Sequence, residues 1–229
     1  MSTQFKVFNE FKGFGNPKGK IWFVVLEEAA DFESDHERLI EKYSKGVLSF
    51  EPGLIENDAK SLGNRFTKVY DVMSKIMVGL RPELDWKFYR NNLLLNTESN
   101  EFQMNLYPLG KKNLTEWNTF YETQFGFKNK QNYMSTVQEK RFPMLINYWK
   151  TYSPSFTICF GIGNIQDFER LFNLTQGERI IESNSIFFED QRVLVTPFFD
   201  NRNMGQSRID ATIEILQNTL NHQQFKLNR

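Results

Sequence analysis

Apolar positions along this chain follow two rhythms, unbroken runs of about five residues and spaced sets at intervals of three and four. The stretch GKIWFVVLEEA at 19–29 carries five apolar residues in succession, Ile21 to Val25, behind a glycine and proline cluster. That is the pattern of a strand buried on both faces. It ends in two carboxylates, Glu27 and Glu28. Ser34 to Glu37 then makes an S-x-x-E capping box that opens a helix ahead of Leu39 and Ile40. From 64 to 77, Phe66, Val69, Val72, Met73, Ile76 and Met77 recur at spacings of three and four, and Gly79 supplies a stop. A second strand is predicted at 101–106. The segment 114–150 reads as helical, interrupted at Gly126 and Pro143, with a further capping box at Thr136 to Glu139.

FTICFG at 156–161 is a third buried strand, followed by a short helix over 164–172. SIFFEDQRVLVTPFF at 185–199 reads as a hairpin whose second arm is the last buried strand. Gln206 to Leu220 closes with an amphipathic helix on Ile209, Ile213, Leu216 and Leu220. Strands alternating with helices predict an α/β fold, a three-layer α/β/α sandwich around a mainly parallel central sheet of about four strands. No internal repeat is present, so one domain over 1–229 is expected.

Composition narrows this picture. At 40% hydrophobic, with 23 Phe in 229 residues, the chain can bury a substantial core. Its 28 basic and 28 acidic residues cancel, so no overall field draws it to nucleic acid, and an anionic partner needs a local patch. MSTQFKVFNEFK has no apolar core of signal length, and nothing approaches the roughly 18 uninterrupted apolar residues of a membrane span. A soluble cytoplasmic monomer with no membrane association is expected. The single cysteine, Cys159, lies in an apolar run and reads as a small buried hydrophobe. Disulfides and cysteine metal sites are thereby excluded within one chain.

Most motif matches have ordinary explanations. GFGNPKG at 13–19 precedes a strand and reads as a turn. GIGNIQ at 161–166 follows a strand and opens a helix, but Gln166 stands where a dinucleotide site has its third glycine. The cluster Asp31, Glu33, Asp35, His36 and Glu37 could hold a metal, yet helix capping and a solvated first turn explain it. His222 lies on a polar stretch and reads as surface. Two histidines and no G-x-S-x-G leave a hydrolase triad unsupported. What remains is polar chemistry at three strand ends: Glu27 and Glu28 after the first, Asn105 with Tyr107 and Pro108 after the second, and Thr196-Pro197 followed by FFDNRNMGQSR after the last. Parallel strands place such ends on one rim, where ligands of open α/β sheets bind. Ordinary loop polarity is the competing explanation.

In order and spacing these parts resemble the uracil-DNA glycosylase superfamily. MNLYPLGKK at 104–112 is similar to the strand end from which that family's asparagine reads the edge of a flipped base. FTICFGIGN resembles the family's penultimate strand and glycine turn. The departures are specific: VVLEEA has neither the glycine nor the proline of the family's first motif, and Thr196-Pro197-Phe198 stands where His-Pro-Ser is usual. The missing histidine points away from uracil toward a damaged or hypermodified base.

The resemblance implies a DNA glycosylase that hydrolyses an N-glycosidic bond and leaves an abasic site, with no metal or cofactor. Glu27 is the preferred catalytic carboxylate and Glu28 the close alternative. Asn105 would read the base, and Tyr107 or Phe198 would stack on it, although with 23 Phe in the chain either aromatic is more often core. Lys111, Lys112, Thr196, Pro197, Asn201, Arg202 and Arg208 would contact DNA. The alternatives are a non-catalytic nucleic-acid or nucleotide-binding module of the same fold, and an enzyme of free nucleosides or nucleotides.

Overall fold

A computed structural model describes residues 3–27, 37, 39–41, 43, 44, 47, 48, 65–110 and 117–227, without side-chain detail for Thr3, Val47, Leu48, residues 65–67 or the residues beyond 221. Glu28, the acidic cluster at 31–36, Lys111, Lys112 and the side chain of His222 lie outside the described residues. Within them the chain is α/β, with helices α1 (Thr3–Glu10), α2 (Arg65–Gly79), α3 (Trp86–Asn92), α4 (Phe120–Phe125), α5 (Lys130–Lys140), α6 (Phe142–Tyr152), α7 (Ile165–Phe172) and α8 (Gln206–Leu227). The strands are β1 (Gly13–Gly15), β2 (Ile21–Val25), β3 (Val47–Leu48), β4 (Glu101–Asn105), β5 (Phe156–Phe160), β6 (Glu178–Ile180), β7 (Ser185–Phe188) and β8 (Val193–Thr196). Among the described residues no helix is long and apolar enough to cross a membrane.

The sheet is larger and more mixed than the apolar runs predict. Its eight strands run β3-β1-β4-β2-β5-β8-β7-β6. The four central strands β4, β2, β5 and β8 are mutually parallel. Antiparallel partners extend them on both sides, β1 beside β4 and the β7–β6 hairpin beside β8. The first arm of the hairpin predicted at 185–199 is β7, whereas β1, β3 and β6 are only two or three residues long and show no buried apolar run like those of the central four.

GFGNPKG is therefore not all turn. Gly13–Gly15 pairs with β4, and the turn follows at Asn16–Gly19, closed by the Gly19 amide on the Asn16 carbonyl at 2.8 Å. Gly13 has φ +151° and lies so close to β4 that a Cβ there would meet the Gln103 carbonyl oxygen at 2.0 Å. A side chain at this position is incompatible with the pairing.

Alternate residues of the central strands meet helices on opposite faces. Trp22 and Phe102 pack against Tyr148 and Tyr152 of α6. On the other face Phe23 and Phe160 pack against Phe199, and Tyr89 of α3 reaches Glu101. Glu101 is fully buried, and its carboxylate accepts from the Tyr89 hydroxyl at 2.6 Å and the Leu95 amide at 2.7 Å. Burial pushes its carboxyl above the ordinary value, and the hydrogen bonds only partly oppose that. Gly79 ends α2 where a Cβ would meet the Ile213 side chain at 2.5 Å, so glycine lets α8 approach.

One helix signal reads differently in three dimensions. Thr136 sits inside α5, with its hydroxyl on the Asn132 carbonyl, while Asn129 is the true N-cap and accepts from the Asn132 amide. An S/T-x-x-E spacing inside a helix places its hydroxyl on the preceding turn, which is why the motif misleads there. Gly126 does end α4 in a left-handed conformation, and Pro143 sits in the first turn of α6, where proline costs no hydrogen bond. Cys159 is fully buried, which pushes its thiol well above its ordinary range and leaves it inert.

Candidate functional site

The four parallel strands end on one rung. Val25 pairs with both Asn105 and Phe160, and Phe160 pairs with Thr196. Neighbouring strands lie about 4.8 Å apart, so Asn105 and Thr196 are roughly 14 Å from one another across the rim. Glu27 follows Val25 by two residues, about 7 Å further along the chain direction. The 197–205 loop begins directly after Thr196. The carboxylate, the amide and the aromatic, arginine-bearing loop thus leave the sheet on the same edge.

Asn105 is 5% exposed and shares its face of β4 with Gln103 and Glu101. Among the described residues its side chain makes one hydrogen bond, its Oδ1 accepting from Gln103 Nε2 at 3.3 Å. Gln103 Oε1 is buried without a partner. The row of polar groups on this strand is therefore tied at its Glu101 end and loosely satisfied at the rim.

The chain after Asn105 does not spread into a loose loop. Residues 101–110 are all buried. The Leu106 amide donates to the Val25 carbonyl at 2.9 Å and the Tyr107 amide to the Leu26 carbonyl at 2.6 Å, continuing the β2–β4 ladder past the strand ends. Arg141, at the α5–α6 corner, donates from Nη2 to the Asn105 carbonyl and from Nε to the Leu106 carbonyl, each at 2.9 Å. Its Nη1 reaches the Asn9 carbonyl and, at 3.4 Å, that of Phe8, in the last turn of α1. The Tyr133 hydroxyl of α5 accepts from the Leu109 amide at 3.0 Å, and the Tyr121 hydroxyl of α4 donates to the Gly110 carbonyl. The Tyr107 hydroxyl donates to Asp167 of α7 at 2.8 Å and accepts from Gln138 of α5 at 2.8 Å. Side chains from four helices or their junctions fix one six-residue segment.

The electrostatics follow from this burial. Tyr133 is held well above its ordinary value, first by desolvation and then by the negative charge of Glu27. Glu27 is half-buried, and its influence on Tyr133 puts its charge beside the segment that carries Asn105. Burial, followed by the bond to Asp167, likewise raises Tyr107. Burial pulls Arg141 down to about 10, which leaves it cationic at neutral pH.

In the last loop, Thr196 is fully buried and its hydroxyl donates to the Pro197 and Cys159 carbonyls at 3.0 and 3.4 Å. Pro197 is buried beside it. Phe199 stacks on Phe160 with centroids 4.4 Å apart, whereas Phe198 is 42% exposed and touches the same ring from 5.8 Å. Asp200 gathers the turn by accepting from the Arg202 and Asn203 amides and the Asn203 side chain. Asn201 and Arg202 are exposed, while Arg208 is half-buried and donates to the Asn203 carbonyl at 2.6 Å.

Glu27, Asn105 and the start of the last loop thus leave the sheet at the same rim, and Phe198, Asn201 and Arg202 are exposed in that loop beyond Thr196. The structure corrects the expectation that Tyr107 offers a stacking face: its ring is 3% exposed, packed between Tyr133 and Phe142, and its hydroxyl is engaged by α5 and α7. Thr196 and Arg208 are likewise engaged within the protein. The supporting residues Tyr121, Tyr133, Gln138, Arg141 and Asp167 carry no local signal, since each sits in or between helical stretches where an aromatic, polar or charged residue is ordinary. Among the described residues no group of three or more His, Cys, Asp and Glu could hold a metal ion. No family model matches this chain, and no curated protein matches its sequence.

Proposed function

We propose that the protein is a DNA glycosylase built on a three-layer α/β/α sandwich of the uracil-DNA glycosylase kind, acting on a modified or damaged base. The observation that carries the reading is the mounting of Asn105, a rim amide on a segment fixed from four sides, with the Glu27 charge one strand away. An amide that must discriminate the edge of a base needs such fixed backing, because mobility of the reader erodes selectivity.

Extruding a nucleotide costs a few kcal/mol, regained by stacking and edge hydrogen bonds in the pocket. Asn105 can donate from Nδ2 and accept at Oδ1, which suits a base that presents a carbonyl beside a ring N–H. Phe198 would stack, as the exposed aromatic of the last loop. Glu27, with Glu28 as the alternative, would orient water and stabilise positive charge growing on the sugar. The C1′–N bond breaks with its electron pair leaving on the base, water supplies the hydroxyl to C1′, and the water proton ends on the base or solvent. Asn201, Arg202, Lys111 and Lys112 would meet phosphates.

One observation favours the non-catalytic module instead. Thr196, at the usual histidine position, spends its hydroxyl on backbone carbonyls and offers no donor to a departing base. The discriminating experiment incubates the protein with DNAs that carry different base modifications and then applies alkali. Strand cleavage at the modified position supports the glycosylase, and tight binding without cleavage across the set supports the module. Equal reaction of a mononucleotide would identify an enzyme of free nucleotides.

A further inference from the structure

Away from the rim, positive charge collects round one indole. Lys75 of α2 places its Nζ 5.0 Å from the centre of the Trp86 ring, and from α3 the Lys87 Nζ and the Arg90 guanidinium carbon lie 5.7 Å from it. No two of these charges are then more than roughly 11 Å apart, close to the screening length, so they repel one another. The negative faces of the indole offset part of that repulsion and hold the cations in place. Among the described residues only Arg90 has an ionic partner, Asp71 at 2.5 Å, whereas Lys75, Lys87 and the exposed Arg81 have none.

The neighbouring acids do not cancel this charge. Residues 65–92 carry six basic side chains against three acidic ones, in a chain whose totals balance. Asp71 is committed to Arg90, and Asp85 accepts from the Lys87 and Phe88 amides as the N-cap of α3. Glu83 and Glu98 are exposed in the turns on either side of α3, and among the described residues neither forms an ion pair. Buried Glu101 acts on Arg81 only through space, its hydrogen bonds being engaged by Tyr89 and Leu95.

Beside the cations lies a bare aromatic face. Lys87 stands between Trp86 and Phe88 on α3, and Phe88 is 52% exposed. A lone exposed phenylalanine is ordinary; one set against unbalanced cations is a complement to a ligand that carries both negative charge and rings. The Tyr89 hydroxyl on Glu101 anchors α3 at the start of β4, roughly 13 Å along that strand from Asn105 and the rim.

We infer that Lys75, Arg81, Lys87 and Phe88 form a second binding surface, separate from the rim, for single-stranded nucleic acid. The cations take phosphates and Phe88 takes an unstacked base. A duplex keeps its bases in the stack and offers this surface phosphates alone. An acidic polypeptide brings charge without a base for Phe88. The inference rests on the chemistry of this surface and not on the glycosylase reading.

The test labels the full chain with fluorotryptophan, which gives one fluorine resonance for each of its four Trp, and Trp86→Phe identifies the one in this surface. Titration with an oligothymidylate of about 12 nucleotides should shift the Trp86 resonance, so that affinity is read here whatever binds at the rim. Phe88→Ala, at an exposed position the fold tolerates, should weaken the single strand about 5- to 150-fold, the equivalent of one stacked base, and leave a duplex of the same length nearly unaffected. Lys75→Gln with Lys87→Gln should flatten the salt dependence by about 1.4, the value for two phosphate contacts on a single strand. Anisotropy of the labelled oligonucleotide should show the same losses without the fluorine assignment.

A Trp86 resonance indifferent to the oligonucleotide, or a Phe88→Ala loss equal on single strand and duplex, overturns the proposal. Polyglutamate shifting the resonance at the same concentration overturns it too and makes the surface a dock for acidic polypeptide. Abasic sites are scored separately: their absence on every DNA removes the glycosylase and leaves this surface standing, and their formation with a silent Trp86 does the reverse.

Discussion

Tyr133→Phe removes one oxygen from the support beneath Asn105 and little else. The ring keeps its neighbours, with centroids 6.3 Å from Phe5, 5.1 Å from Phe127, 6.0 Å from Tyr107 and 5.5 Å from Trp117, so no cavity larger than a hydroxyl opens. What is lost is the acceptor of the Leu109 amide in a fully buried stretch. A buried N–H left without a partner costs about 1–3 kcal/mol. For a chain of this size each kcal/mol moves Tm by roughly 2–4 °C, so the expected fall is about 2–12 °C. Thermal unfolding gives the total, and amide exchange followed by NMR locates it, with Leu109 and its neighbours losing protection ahead of the β5 and β8 amides. An unchanged Tm together with unchanged exchange at Leu109 would show that the segment is held without this bond and that its fixation has been overstated.

Three further outcomes are expected. Burial raises Glu101 above the ordinary 4.5, so its contribution to stability is complete below that value and is lost as pH rises through the higher folded-state value; denaturation midpoints of Glu101→Gln should therefore gain on wild type from acid to neutral pH, and parallel curves would contradict the sign. Asn105→Ala should cost about 1–3 kcal/mol in binding of the responsive base and relax base choice, read from competition between modified DNAs. Arg202→Gln should reduce the salt slope of DNA binding by about one charge, whereas Arg208→Gln, whose guanidinium is committed to Asn203, should lower Tm and leave the slope nearly unchanged.

The parts of this molecule legible in the sequence are those whose burial is complete and local. Ile21–Val25, Phe156–Phe160 and Val193–Thr196 are buried on both faces, so their apolar runs announce them. β4 carries Glu101, Gln103 and Asn105 among its five buried residues, and it was legible only because Phe102 and Met104 alternate with them. Helix α1, with Phe5 and Phe8 buried, shows helical spacing that an N-terminal stretch with polar residues between does not make obvious. Helix α3 is seven residues long and caps on Asp85, too short for periodicity to register. At the site, Asn105 and the carboxylate at the end of β2 could be found because strand ends collect ligands. Arg141 could not, since its partners Phe8, Asn9, Asn105 and Leu106 are distant in sequence and all contribute backbone atoms, which leave no trace in residue type. The choice between Phe198 and Phe199 was likewise hidden: only packing on Phe160 decides which ring is buried.

The account stands most directly on the carboxylate. Glu27→Gln keeps size and hydrogen-bonding reach while removing the charge, so single-turnover base excision on the DNA that responds to wild type, read as alkali-labile strand cleavage with binding measured in parallel, isolates its chemistry. The expected result is a loss of roughly 10²- to 10⁴-fold in rate with DNA binding retained, the range general acid–base catalysis supplies. The same loss in Glu28→Gln, with Glu27→Gln active, would shift the assignment by one residue and keep the mechanism. Full activity in both variants, or persistent DNA binding with no excision by the wild type on any modified DNA, would contradict the account and leave a binding module in its place.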